Sequence, residues 1–456
     1  MRRFAFILAM CFAATACGAE VSFQRDVWPV FKRHCAGCHG GQKNKGRLRL
    51  DDVASLLKGG KTGPLFVAGK PDDSLLITQV SGDKPDMPEN EAPLSPAKVK
   101  LLRDWIAQGA KIDGAPISQV PPVVIPATYA TAPAISSAAI SPDGKVAAIA
   151  CRSEVVMFNV DDDAPPRRLR TDFDLITHVE FSPDGKRLAA GGGSPQQFGG
   201  VIFFDPVTGS RQGGRRLGAD TFFKGNFSPD GQSMAFGGAN GAIYIIPVNE
   251  KEQPKTIEIH SDWVTAVAYS ADGRQLVSGS RDKTTKISSV QGLRLLRSID
   301  QSADVINAVA ADPLTAFSGG NAATLTGYDF KLSVGDVETT GSGNSTQPVS
   351  KRDQYVRNFE VQAGAVMALG ISGDRKLLAV ATRTAEVRIY QTDTRTRKTA
   401  IPMAPAPVLA VGLNRDGSRL IAGGKTGEIQ IWDTTSAKLI KSLTPVPVQQ
   451  AAIAGK

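Results

Sequence analysis

The sequence predicts a multidomain chain: a small all-α domain followed by an all-β propeller of seven blades. Three observations predict this. A Ser-Pro-Asp-Gly turn recurs at Ser141, Ser182 and Ser228, with variants beyond, at a spacing of a little over forty residues. Upstream, apolar residues run at helical spacing around a Cys-x-x-Cys-His motif that ends at His39. Between the two, residues 114–133 hold Pro116, Pro121, Pro122, Pro126 and Pro133 among Ala and Ser, the composition of a semi-extended tether. At 456 residues the chain is too long for one ordinary core. Its 46 Gly, 28 Pro and 6% aromatics suit a turn-rich β protein better than a helical bundle.

The first 19 residues read as a secretory signal peptide. Arg2 and Arg3 form a positive start, Phe4 to Ala14 an apolar stretch too short to span a bilayer, and small residues follow. Cleavage after Ala19 would make Glu20 the mature start and the protein periplasmic or otherwise exported. The alternative makes Cys17 the lipidated first residue of a lipoprotein, although Ala14 stands where such signals usually carry Leu. No later segment is apolar for long enough to form a membrane helix.

The net charge of +9 is spread among nearby Asp and Glu, with no Lys/Arg block interleaved with aromatics. Nucleic acid is therefore not the expected partner, and the surface reads as mixed and solvated. The five cysteines sort by place: Cys11 and Cys17 in the signal region, Cys35 and Cys38 in the motif, and Cys151 alone in an apolar run. That distribution leaves no disulfide framework and makes Cys151 a small buried hydrophobe.

Cys35-Ala36-Gly37-Cys38-His39 has the spacing of covalent haem attachment. Two thiols add across the two vinyl groups of the porphyrin, and the adjacent imidazole turns under the ring to the iron. A zinc site would need a second ligand pair, and no other Cys pair exists. A thioredoxin-like dithiol would need a βαβ setting, which is absent. Met87 is the only methionine between the signal region and the tether, held in a loop by Pro85 and Pro88. It is the candidate second axial ligand, because a soft thioether favours reduced iron. His34, beside the proximal arm, could hardly reach the opposite face and reads as a surface or haem-edge residue.

The flanks are helical. Val27, Val30 and Phe31 form a stripe leading into the motif. Ser95 is the expected N-cap of a second helix with Pro96 at its first position, Val99, Leu102 and Ile106 on one face, Trp105 adding bulk, and Gly109 at its end. With the lead-in from Phe23 to Phe31, Gly46 to Asp51, Gly59-Gly60, Pro71 to Leu76, Met87-Pro88 and Trp105 to Ala110, residues 21–113 resemble the planctomycete-type cytochrome c domain. The resemblance implies one covalent haem c on Cys35 and Cys38, His39 as proximal ligand, Met87 as distal ligand, and electron transfer. The domain is placed at 20–113.

Beyond the tether, the turn variants are Ser270-Ala-Asp-Gly, Ala311-Asp312-Pro313, Ser372-Gly-Asp and Asn414-Arg-Asp-Gly. Each follows an alternating strand such as Val264 to Tyr269, and precedes a second strand and a third ending in a polar turn. Seven units over 134–445 resemble WD40 repeats, with a tail at 446–456. Only Trp432-Asp433 keeps the signature dipeptide. His260, Ser278 and Asp282 could form three parts of the hydrogen-bonded tetrad of that family, with Ser288 in place of the Trp. A Gly/Ser/Thr-rich insertion around Asp336 to Ser350 reads as a surface loop.

Catalytic patterns are absent from the repeats: no Gly-x-Ser-x-Gly elbow, no phosphate loop, and only His178 and His260 for a metal, both read as structural. The expected function is single-electron transfer, with the propeller docking a redox partner or a periplasmic assembly. The alternatives are an interaction protein with haem as sensor, and a propeller enzyme using haem as electron outlet.

Overall fold

The computed structural model describes residues 20–36, 39, 45–50, 53–89, 93–113, 125–218, 220–299, 302–330, 356–403 and 407–449. The signal region with Cys17, Cys38, residues 114–124 of the tether, the insertion at 336–350 and residues 450–456 of the tail lie outside them. The chain divides into two compact units, 1–119 and 120–456.

The first unit is helical. Ser22 opens it by accepting from Arg25 N (3.0 Å) while its own N–H donates to the Asp26 carboxylate (3.0 Å), a reciprocal cap. A π-helical turn, Phe23–Val27, runs into α1, Trp28–His34. Short helices α2 (Val53–Lys58) and α3 (Leu75–Val80) precede α4 (Pro96–Ala107). The stripe expected before the motif is buried: Val27 and Phe31 are fully enclosed and Val30 nearly so, with Phe23 enclosed beside them. They meet Leu102, Trp105 and Ile106 of α4 in one core. The Trp105 ring lies 5.4 Å from Phe23, 6.1 Å from Phe31 edge-on and 4.9 Å from Phe66. Its indole N–H donates to Lys111 O (2.9 Å), so the polar edge of a buried ring is satisfied. Ser95 takes the extended N-cap conformation with Pro96 after it, but its hydroxyl makes no capping bond. The proline has no N–H to satisfy there.

The second unit is a ring of seven four-stranded antiparallel meanders. Inner strands are Ile135–Ile140, Leu175–Phe181, Phe222–Phe227, Val264–Tyr269, Ile306–Ala311, Val366–Ile371 and Val408–Leu413. The repeated turn explains each meander's first hairpin. Ser141 Oγ donates to Asp143 Oδ1 (2.6 Å) and accepts from Val146 N (2.9 Å), and Gly144 sits at φ 77°. The same serine–aspartate bond recurs at Ser182, Ser228, Ser270 and Ser372. A glycine takes the left-handed turn position because Cβ would be strained there. In blade 6, Arg375 takes that position at φ 61°.

Adjacent blades are fastened near the start of the inner strands. Ser136 Oγ donates to Ile176 O (2.8 Å), Thr177 Oγ1 to Phe222 O (2.6 Å), Thr265 Oγ1 to Ile306 O (2.5 Å) and Asn307 Nδ2 to Val366 O (2.9 Å). Each satisfies a carbonyl at the strand's opening, where the ladder to the second strand carries a bulge.

Residues 125–133, read from composition as part of the tether, pack on this unit. Tyr129 pairs in parallel with Val448, donating its N–H to Pro447 O (2.8 Å) and accepting from Gln449 N (2.8 Å). Tyr129 and Val446 are buried in one cluster with residues of blades 1 and 7.

Candidate haem site

Cys35 closes α1, its N–H donating to Phe31 O (2.9 Å). One turn on, His39 N donates to Cys35 O (3.0 Å), and His39 O accepts from Leu50 N (2.7 Å). Leu50 is buried in the core, so the backbone that carries the imidazole is tied to the packed interior. Cys38 lies outside the described residues. Met87 N donates to Gln79 O (2.9 Å), folding the Pro-framed loop back onto α3. Cys35 and Met87, both half-buried, pack against the same hydrophobic core, to which Phe31, Leu102 and Ile106 belong. Residues 52 positions apart in sequence are thus set on one apolar core, with a thiol and a thioether at its edge.

His34 Nε2 accepts from Lys98 Nζ at 2.9 Å, joining α1 to α4. Gly59, at φ 79°, and Gly60 admit a close backbone approach: Lys61 N donates to Gly46 O (2.6 Å), and a Cβ on Gly60 would stand 2.9 Å from that oxygen.

Imidazole, thioether and thiol are the donors that suit a covalently held haem. Among the described residues no group of three or more His, Cys, Asp or Glu could hold a metal ion.

In the propeller, the three tetrad residues meet. His260 Nδ1 lies 2.8 Å from Asp282 Oδ2, and Nε2 lies 2.7 Å from Ser278 Oγ. Burial holds the imidazole below its ordinary value. Burial also pushes the Asp282 carboxyl up, but bonds from Thr284 and His260 outweigh it and leave it at about 2. Ser288, at the tryptophan's place, is buried with no hydrogen-bond partner for Oγ among the described residues. Cys151 is buried, and its thiol is pushed up to about 12, mainly by desolvation. His178 lies on the axial channel, Nε2 3.4 Å from Glu180 Oε2. Sequence reading missed Lys224 and Arg375, which also line the channel. Aligning the blades on their turns would have exposed both, since Lys224 falls where five of the other six blades carry alanine or serine, and Arg375 where five of them carry glycine.

Fold and site together define a two-part protein, a small cytochrome c-type helical domain and a seven-bladed WD40-type propeller. Residues 35–90 match the planctomycete cytochrome C family, spanning Cys35, Cys38, His39 and Met87, and residues 251–287 match the WD domain, G-beta repeat. Three curated relatives are WD proteins or similar to the chain over a minority of its length. WD repeat-containing protein SL1-17 of Schistosoma mansoni is 30% identical over 118 residues, 26% of this chain and 38% of that protein. WD repeat-containing protein 1 of Xenopus tropicalis is 30% identical over 158 residues, 25% of this chain and 26% of the relative. Protein groucho of Drosophila melanogaster is 24% identical over 152 residues, 33% of this chain and 20% of the relative. No helix among the described residues is long and apolar enough to cross a membrane.

Proposed function

We propose that the chain is an exported single-haem c-type cytochrome that transfers one electron at a time, and that its propeller docks a protein partner. The observation that carries this reading is the placement of Cys35 and Met87 on one core, inside a segment matching a cytochrome family, with His39 anchored one turn beyond Cys35. Cys35 and Cys38 would hold the haem through thioether bonds, and His39 and Met87 would ligate its iron. Bound haem supplies a one-electron iron couple, which the thioether biases toward the reduced form. The protein's part is to hold the imidazole through the Leu50 bond and present the thioether on a loop stiffened by Pro85 and Pro88. The WD40-type ring supports partner docking, since a rigid propeller leaves its loops free for recognition.

The test is expression with haem-attachment machinery. Purified protein is expected to carry about one haem that resists acid–acetone extraction, with Cys35 and Cys38 closed to alkylation, and to fractionate with the periplasm. Met87→Ala is expected to abolish the sulfur-to-iron charge-transfer band and to lower the midpoint potential. Colourless protein with both thiols reactive would refute haem attachment. An unchanged spectrum in Met87→Ala would refute Met87 as ligand. A wild-type haem that is five-coordinate and binds carbon monoxide readily would instead favour a sensor.

A further inference from the structure

The inner strands enclose an axial channel of ≈ 480 Å³. With the blades aligned on their turns, the residue immediately before each inner strand's last three is alanine in blades 4 to 7 and serine in blade 1. His178 of blade 2 and Lys224 of blade 3 are the exceptions. At this level the lumen is therefore roomy, with its long polar side chains on two neighbouring blades.

Lys224 crosses that space. Its Nζ donates to Met367 O (2.7 Å) in blade 6, on the other side of the ring. An ammonium carries three donors, and this bond uses one. Burial holds the amine down at about 8. No carboxylate among the described residues offsets its charge. Glu180 and Arg375, which also line the channel, both have partners. Glu180 Oε1 accepts from Asn226 Nδ2 (2.7 Å), and Oε2 from Phe227 N (2.9 Å). Arg375 Nη1 donates to Ala311 O (2.6 Å) and Tyr269 O (3.2 Å) near the turn end of the channel, and Glu180, Asp312 and Asp272 offset its charge. Its left-handed backbone, at φ 61°, is a strained position for a residue other than glycine, as often found where a side chain is held for a purpose.

We propose that the axial channel binds a small oxyanion, a carboxylate or a phosphate, received by the Lys224 ammonium. A partly buried cation lining a channel and resting on one neutral carbonyl lacks the counter-charge that enclosed groups normally keep. An oxyanion supplies that charge and accepts the two remaining donors. A lumen of ≈ 480 Å³ holds several heavy atoms and bridging water. This site is independent of the haem reading.

Thermal unfolding of the full chain against sodium phosphate, and separately sodium acetate, tests this, with sodium chloride at matched ionic strength as reference. A saturating rise in Tm is expected with at least one anion, about 5 °C at a hundredfold excess over Kd. A response to phosphate alone identifies a phosphate site, and one to acetate alone a carboxylate site. Lys224→Met removes the saturating part, whereas Lys398→Met, on an exposed outer strand, retains it. Equilibrium dialysis of labelled phosphate and acetate against the unaltered chain gives a second readout that needs no variant, about one anion bound per chain. Absence of saturation with both anions, dialysis without near-stoichiometric binding, or an undiminished response in folded Lys224→Met overturns the proposal.

Discussion

Arg168→Met is expected to lower propeller stability by about 3–5 kcal/mol, the cost of stranding a buried carboxylate. Glu154 is 0% exposed and accepts Arg168 Nε at 2.6 Å, Arg168 Nη2 at 2.7 Å and Tyr129 Oη at 2.6 Å. The substitution leaves one phenol to solvate the carboxylate. It also frees the Pro126 and Ala127 carbonyls, to which Arg168 donates at 2.9 and 3.2 Å, adding about 1 kcal/mol. At about 2 °C per kcal/mol for a unit of this size, the combined loss of about 4–6 kcal/mol should lower Tm by about 8–12 °C, read by far-ultraviolet circular dichroism on the full chain. Pairing the change with Glu154→Leu removes both charges, leaving chiefly the unpartnered Tyr129 hydroxyl at about 1–3 kcal/mol. The double variant should therefore be more stable than Arg168→Met alone by about 2 kcal/mol. The reasoning fails if Arg168→Met lies within about 1 kcal/mol of wild type, or if the double variant is the weaker of the two.

Three further outcomes follow from the same structure. Acid should weaken blade 4 in two stages: the unfolded chain takes up the His260 proton first below about pH 6.5, and the stability contributed by Asp282, complete above about pH 4, is lost toward pH 2. The Asp282 share is about 2 kcal/mol, and acid titrations should lose that lower stage in Asp282→Asn. Ser288→Ala removes a buried hydroxyl without a partner and should be neutral or stabilising by up to about 1 kcal/mol in urea; a loss above that would mean Ser288 has an unseen partner. Gly191→Ala would drive a Cβ into the Phe236 ring, which stacks on Phe222 at 5.7 Å, and should cost about 1–3 kcal/mol by the same titration; wild-type stability would show that the ring gives way freely.

Much of the fold was legible because its determinants are local. A serine two residues before an aspartate, followed by glycine, carries its own turn, so seven blades could be counted without a contact map. The tetrad residues were legible for a related reason. His260, Ser278 and Asp282 lie within one repeat, and a fixed period holds them at bonding distance. The helices around Cys35 followed from their apolar spacing, and Trp105 fell in the core as its face required. The missing Ser95 capping bond was not legible, because proline at the first helical position already removes one donor from the unpaired set.

By itself, the sequence determined the element types, the blade count, the order of the two units and the identity of the candidate donors Cys35, Cys38, His39 and Met87. Tertiary structure decided how the ring closes and what its channel contains. The Pro126 and Ala127 carbonyls look like tether in composition, yet they end on Arg168, while Tyr129 pairs with Val448. Lys224 finds its carbonyl 143 residues away. The physical reason is range: turn chemistry and amphipathic period act over a few residues and are written in each segment. A charge crossing a lumen is placed only when distant strands have packed, and no local pattern records where it comes to rest.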